Sequence, residues 1–194
     1  VKSAEEFVTL SAHWGTLFSA DLHAHFRPVP EEISQFLATE LPASPAATSA
    51  PVVAAASEES APAAEEDAAQ DELKRLRAAA AAGQPKAQHY LAALYSTGTG
   101  GVELNWPAAI ELYHKAADQG LSISQNNLGF LYATGQGVQA DPLQAYMWFQ
   151  LAFRGGYQEA GPNLDVLAQH LTAAQRQQAE EMAWERLRRA ATAQ

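Results

Sequence analysis

The sequence contains no cysteine, which excludes disulfide bridges and thiolate chemistry and suits an oxidising or a reducing compartment equally. It has no excess of positive charge either: twelve Lys and Arg stand against 22 Asp and Glu, for a net charge of −10. That negative excess is local. Residues 1–41 carry two basic and six acidic side chains, residues 42–71 none and six, and residues 72–194 ten of each. An acidic front and a neutral remainder offer no basic stripe to a nucleic-acid backbone. No apolar run approaches the ~20 residues that cross a bilayer, and the first residues lack the charged, apolar, small-residue order of a secretory signal, so the expected location is cytoplasmic. Missing too is any constellation for making or breaking bonds. There is no nucleophile–base pair and no pair of convergent carboxylates, and Gly98-Thr99-Gly100-Gly101 lacks the Gly-Lys-Ser/Thr ending of a phosphate loop. No catalytic residue, cofactor or resident metal is expected.

What the sequence does have is a segment that occurs twice. Residues 87–120 read AQHYLAALYSTGTGGVELNWPAAIELYHKAADQG, and residues 124–156 read SQNNLGFLYATGQGVQADPLQAYMWFQLAFRGG. Leu91 matches Leu128, Tyr95 matches Tyr132, and Gly98 and Gly100 match Gly135 and Gly137, all 37 apart. Past Gly101 the offset is 36: Val102 with Val138, Asn105 with Asp141, Ala109 with Ala145, Tyr113 with Phe149, Ala116 with Ala152, Gly120 with Gly156. Repeats of this length belong to stacked arrays, which recognise partners more often than they catalyse.

Each copy predicts a pair of helices. Asn105 and Asp141 are N-caps, each with a proline in the turn that follows. Gly83, Gly120 and Gly156 punctuate successive pairs, where a left-handed backbone turns the chain into the next unit. Residues 71–82 predict an earlier helix with Leu73, Leu76, Ala79 and Ala80 on one face. A third unit starts near Gly156, departs from the pattern after Leu164, and ends in a long helix opened by a Thr172/Gln175 capping box. The pattern Leu128-Gly129, Tyr132, Gly135, Gly137-Val138, Asp141, Ala145, Trp148-Phe149, Ala152 and Gly156 resembles the Sel1-like repeat family, a branch of the tetratricopeptide-type solenoids. The first copy departs from it at Ala92 and at the added Gly101. The resemblance spans about residues 72–170. It implies an all-α fold, a short right-handed α-α solenoid, and an adaptor or scaffold that binds a protein partner.

The small residues Ala92/Gly129 and Ala116/Ala152 and the aromatic Tyr95/Tyr132 and Tyr113/Phe149 read as packing. Binding residues are therefore expected among the positions the repeat leaves free: Gln88, His89, Asn126, Asn127 and Phe130. In helical solenoids the first helices of successive units line a concave face, where amide side chains bond a peptide backbone. An ordinary helix face, or an internal hydrogen bond for Asn127, is the competing reading. The basic end, Arg186, Arg188 and Arg189, suits an acidic partner or the chain's own acidic tether, and the competing reading is a solvated helix end that favours the dipole.

Ahead of the repeat domain (residues 71–194) stand two other regions. Residues 42–70 are rich in Pro, Ala and Glu and read as a disordered acidic tether that merges into an alanine-rich helix from about Ala63. Residues 1–41 predict a small helical segment. Phe7, Leu10, Trp14, Leu17, Phe18 and Leu22 form one amphipathic face, and Glu31–Leu41 forms a second helix with Ile33, Phe36 and Leu37 inward. The first face would dock on the repeat body, another copy of the chain or a partner groove, or lie on a lipid-like surface. Residues 2–10 are loosely similar to a helix start in phasins, which implies a polyester-granule surface as an alternative. Asp21-Leu22-His23-Ala24-His25 resembles the metal motif of amidohydrolases. A metal-dependent hydrolase fragment using His23 and His25 is the remote alternative, because the barrel that completes such a site needs ~250 residues.

Overall fold

The computed structural model describes residues 30–40 and 61–192. The aromatic face at residues 7–22 and the His23/His25 motif lie outside them. The described residues form eight helices and no strand: α1 (Pro30–Thr39), α2 (Ala61–Ala81), α3 (Pro85–Thr97), α4 (Trp106–Asp118), α5 (Ser122–Thr134), α6 (Pro142–Arg154), α7 (Ala160–His170) and α8 (Ala173–Thr192). From α2 onward, consecutive helices pack against one another down to α7, and α8 returns onto α6.

Two turn types repeat. Where one pair hands over to the next, the carbonyls of Ala79 and Ala80 accept from Gln84 and Gly83, those of Ala116 and Ala117 from Leu121 and Gly120, and those of Ala152 and Phe153 from Tyr157 and Gly156. The glycines have φ of +87°, +88° and +95°, a backbone that a Cβ would strain. Within a pair, α3 and α5 end on the left-handed Gly98 and Gly135. The chain is then pinned by a bond from Asn105 N to Tyr95 O in one copy and from Asp141 N to Tyr132 O in the other, both 2.8 Å. Asn105 caps α4 by accepting from Ala108 N, and Asp141 caps α6 by accepting from Leu143 N and Gln144 N. The capping box at the start of α8 is present in both directions: Thr172 N donates to Gln175 Oε1 and Gln175 N to Thr172 Oγ1.

The second helices carry the largest buried side chains. Tyr113 on α4 and Trp148 and Phe149 on α6 are fully enclosed, each burying apolar area of the kind that contributes on the order of 2–3 kcal/mol. On α6 the four residues Tyr146, Met147, Trp148 and Phe149 are all buried, although a helix with one neighbour would expose part of that run. The reason is α8, which covers the side of α6 that α5 leaves open. The close fit shows at Gly129, where a Cβ would come within 2.6 Å of the Phe149 ring.

The alanine-rich helix begins at Ala61, within the stretch read as a tether, with Pro62 tolerated as its second residue. Helix α1 matches the expected second N-terminal helix. Its Ile33, Phe36 and Leu37 are buried in one cluster with Leu76, Ala79 and Ala80 of α2 and Ala87 and Leu91 of α3. Thus this part of the N-terminal region packs on the repeat body.

Candidate functional site

The five residues expected on an open concave face are all buried: Gln88, His89, Asn126, Asn127 and Phe130. They serve the interior of the stack, which corrects that expectation. Gln88 Nε2 donates to Ala80 O (3.3 Å), and Gln125 Nε2, its counterpart one copy later, donates to Ala117 O (3.0 Å). Each amide thus reaches back to the last turn of the preceding helix and adds a second donor to a carbonyl that already accepts from the turn glycine. In the third unit Gly161 stands in the corresponding place and its missing side chain leaves room for the Phe153 ring. His89 Nδ1 lies 3.0 Å from Ser124 Oγ, joining α3 to α5, and its ring contacts those of Tyr90 and Tyr113. Burial pushes His89 down from 6.5 to about 4. Asn126 Oδ1 accepts from Asn163 Nδ2 on α7 at 3.5 Å. Asn127 and Ser96 lie beside the enclosed Tyr113 hydroxyl, whose titration burial pushes up to about 12. Phe130 meets Phe149 edge to face at 5.2 Å. In this stack the first helices are covered by their neighbours, and Gln88, His89, Gln125 and Asn126 each make a bond to an adjacent helix.

The open surface lies instead where α8 crosses the stack. Arg186 grips Asp118 at the end of α4 through two bonds of 2.9 and 2.6 Å, and its guanidinium lies over the Trp148 ring, 4.2 Å from the centroid. His114, one turn before Asp118, meets the Trp148 ring edge-on at 5.4 Å and lies 3.3 Å from the Tyr132 hydroxyl. Burial, then the neighbouring Arg186 charge, lower the His114 pKa, with Asp118 opposing. Arg189 pairs with Glu185 on its own helix. Between α8 and the α4–α5 turn runs a groove of about 720 Å³, with Ala117, Leu151 and Leu187 among its apolar walls and Arg186 and Arg189 at its edge. Two further apolar side chains stand exposed nearby in sequence, Trp184 at 53% and Phe153 at 40%, and Arg154 lies over the Trp184 ring at 4.4 Å. Of these residues only the basic end was singled out from the sequence. The signal for the rest was available: Trp184 and Leu187, three apart, are large apolar residues set among Glu185, Arg186, Arg188 and Arg189.

Among the described residues, no group of His, Asp and Glu is placed to hold a metal ion, and no helix is long and apolar enough to cross a membrane.

This geometry, two helix pairs with superimposable turns, caps and glycines, agrees with the comparisons. A family profile described as the Sel1 repeat matches residues 85–121 and 122–157. The chain carries two Sel1 repeats. The profile stops short of α2 and of α7–α8, so the flanking helices extend the Sel1 stack without matching its sequence pattern. Among curated proteins, the chain is 36% identical over 84 residues to chitin synthase regulatory factor 3 of Schizosaccharomyces pombe, covering 43% of this chain and 9% of that protein. Among solved structures, it is similar to c5321, a protective antigen present in uropathogenic Escherichia coli strains and displaying an SLR fold. The TM-score is 0.57 and the identity 35%, over 60% of this chain and 25% of that one. The chain therefore spans a quarter or less of the length of these relatives, and the likeness belongs to the repeat module.

Proposed function

We propose that this protein is a non-catalytic adaptor whose Sel1 repeats hold a protein partner, with the groove beside α8 as the contact surface. The observation that carries this reading is the groove itself. It combines apolar walls at Ala117, Leu151 and Leu187 with the charged side chains of Asp118, Arg186 and Arg189, the mixture of apolar and polar groups found in protein interfaces. The fitting partner is a peptide segment with an apolar anchor flanked by polar side chains. The repeat module supports the same reading, since stacked helix pairs offer extended surfaces, as does the name of the yeast relative, a regulatory factor.

The test uses the tagged full-length chain to capture partners from its source, beside Leu187→Asp and Arg189→Glu variants. Both positions are exposed, so thermal melts of the variants should match the parent. Loss of the same captured protein in both variants supports the assignment. Retention in both, with folding intact, would move the contact surface elsewhere.

A further inference from the structure

Helix α1 is part of the fold but not of the repeat. In a solenoid of helical hairpins the first helices of successive units run parallel, because each is antiparallel to the second helix between them. A first helix preceding α2 would therefore run parallel to α3. Instead Glu40 pairs with Lys86 and the Phe36 ring meets the Tyr90 ring at a tilt of 50°, 5.3 Å between centroids, so that later residues of α1 meet earlier residues of α3. Helix α1 runs antiparallel to α3. It has the wrong polarity for a repeat helix and the right contacts for a docked one.

Those contacts have the form of a helix laid in a groove. Ile33, Phe36 and Leu37 are the buried anchors, at positions i, i+3 and i+4, and Glu40 at i+7 reaches Lys86. Arg75 of α2 donates to the Leu37 carbonyl at 2.8 Å, holding the last turn. The other side of α1, with Gln35, Ala38 and Thr39, is exposed. Ten residues are too few for a stable isolated helix, so α1 owes its helical form to the groove. Residues 41–60 join it to α2. Twenty residues reach at most ~66 Å, about twice the ~30 Å length of α2, so α1 is able to leave the groove without detaching from the molecule.

We propose that the α2–α3 groove is a docking site for an amphipathic helix of a partner protein, and that α1 is its built-in competitor. The partner helix carries apolar side chains at i, i+3 and i+4, an aromatic ring among them to meet Tyr90, and a carboxylate at i+7 to meet Lys86. The inference rests on the adaptor reading and adds a second contact surface to it, at the opposite end of the stack from α8. The attached α1 competes at an effective concentration on the order of millimolar, so only a partner helix that binds better than α1 enters.

The probe is a fluorescein-labelled, end-blocked peptide of residues 28–41, titrated by anisotropy against the full-length chain and against a full-length Phe36→Glu/Leu37→Glu variant, whose own α1 is disabled. The expected result is binding to the variant at least tenfold tighter than to the parent, weakened severalfold by Lys86→Glu in the protein. If the double variant loses the repeat fold by circular dichroism, Phe36→Ala takes its place in the same comparison. Equal affinity for parent and disabled protein, or no binding to a folded disabled protein, overturns the proposal. So does a parent that sediments as a dimer and becomes monomeric on Phe36→Glu/Leu37→Glu, since the occupant would then be α1 of a second copy. A failed peptide titration leaves the adaptor reading intact, because that reading is tested by the α8-side variants.

Discussion

Acid should weaken this fold through His89. In the folded chain the ring is enclosed between α3 and α5, its Nδ1 against Ser124 and its faces near Tyr90 and Tyr113. Burial holds its pKa at about 4 against an ordinary 6.5. The unfolded chain therefore takes up a proton in a pH range where the folded chain resists it, and stability falls as pH falls. The contribution is fully present above about pH 6.5 and is lost progressively down to about pH 4. Worked from that shift, the loss is about 2 kcal/mol at pH 5 and about 3 kcal/mol at pH 4. For a chain of this size, 3 kcal/mol corresponds to roughly 6–12 °C in melting temperature. Carboxylates and His114 also respond to acid, so the measurement is a difference. Urea unfolding of the parent and of His89→Asn is followed from pH 7.5 to 4.5, asparagine being the residue at the matching position 126. The variant starts less stable, having lost ring contacts, and the gap should close by about 2 kcal/mol toward acid. Parallel curves over that range would refute the buried neutral imidazole.

Gly129→Ala should destabilise by about 1 kcal/mol in urea unfolding: helix propensity gains about 1 kcal/mol, but a Cβ at 2.6 Å from the Phe149 ring costs about 1–3 kcal/mol. Adding Phe149→Leu should recover part of that loss. Asp141→Ala, which removes the cap accepted from Leu143 N and Gln144 N, should cost about 1 kcal/mol, and Asn105→Ala, which removes a single bond, no more than that. Arg186→Ala removes the grip on Asp118 and the stacking on Trp148. Because the pair is partly exposed, the stability loss should be only about 1 kcal/mol. Hydrogen exchange should nonetheless show lower protection in the last turns of α8, with α3–α6 unchanged.

The repeat architecture was legible because it rests on residues with few substitutes. Glycines at 83, 120 and 156 sit where the backbone turns left-handed, Asn105 and Asp141 start helices, and Thr172 with Gln175 opens α8; all three kinds of signal act locally and survive without knowledge of neighbours. Candidate binding residues were not legible for the opposite reason. Gln88, His89 and Asn126 are polar residues on a helix, and whether such a residue faces solvent or a neighbouring carbonyl depends on which helices flank it. Nothing local says that Gln88 faces Ala80, eight residues earlier across a turn. The reach of α8 back to Asp118, 68 residues away, is likewise set by packing on α6, and the polarity of α1 by a connection whose length alone does not determine it.

The backward bonds of Gln88 and Gln125 have a consequence for how such a protein changes its size. Each amide is matched to a carbonyl eight positions upstream across a single turn, so a duplicated unit carries its own tie to its neighbour whenever the breakpoint falls outside that short span. A breakpoint within the span would strand the amide in the interior, while the carbonyl would keep its bond from the turn glycine. An added unit thereby brings its own link to the one before it, and Gly161, with no amide to offer, marks where that series stops.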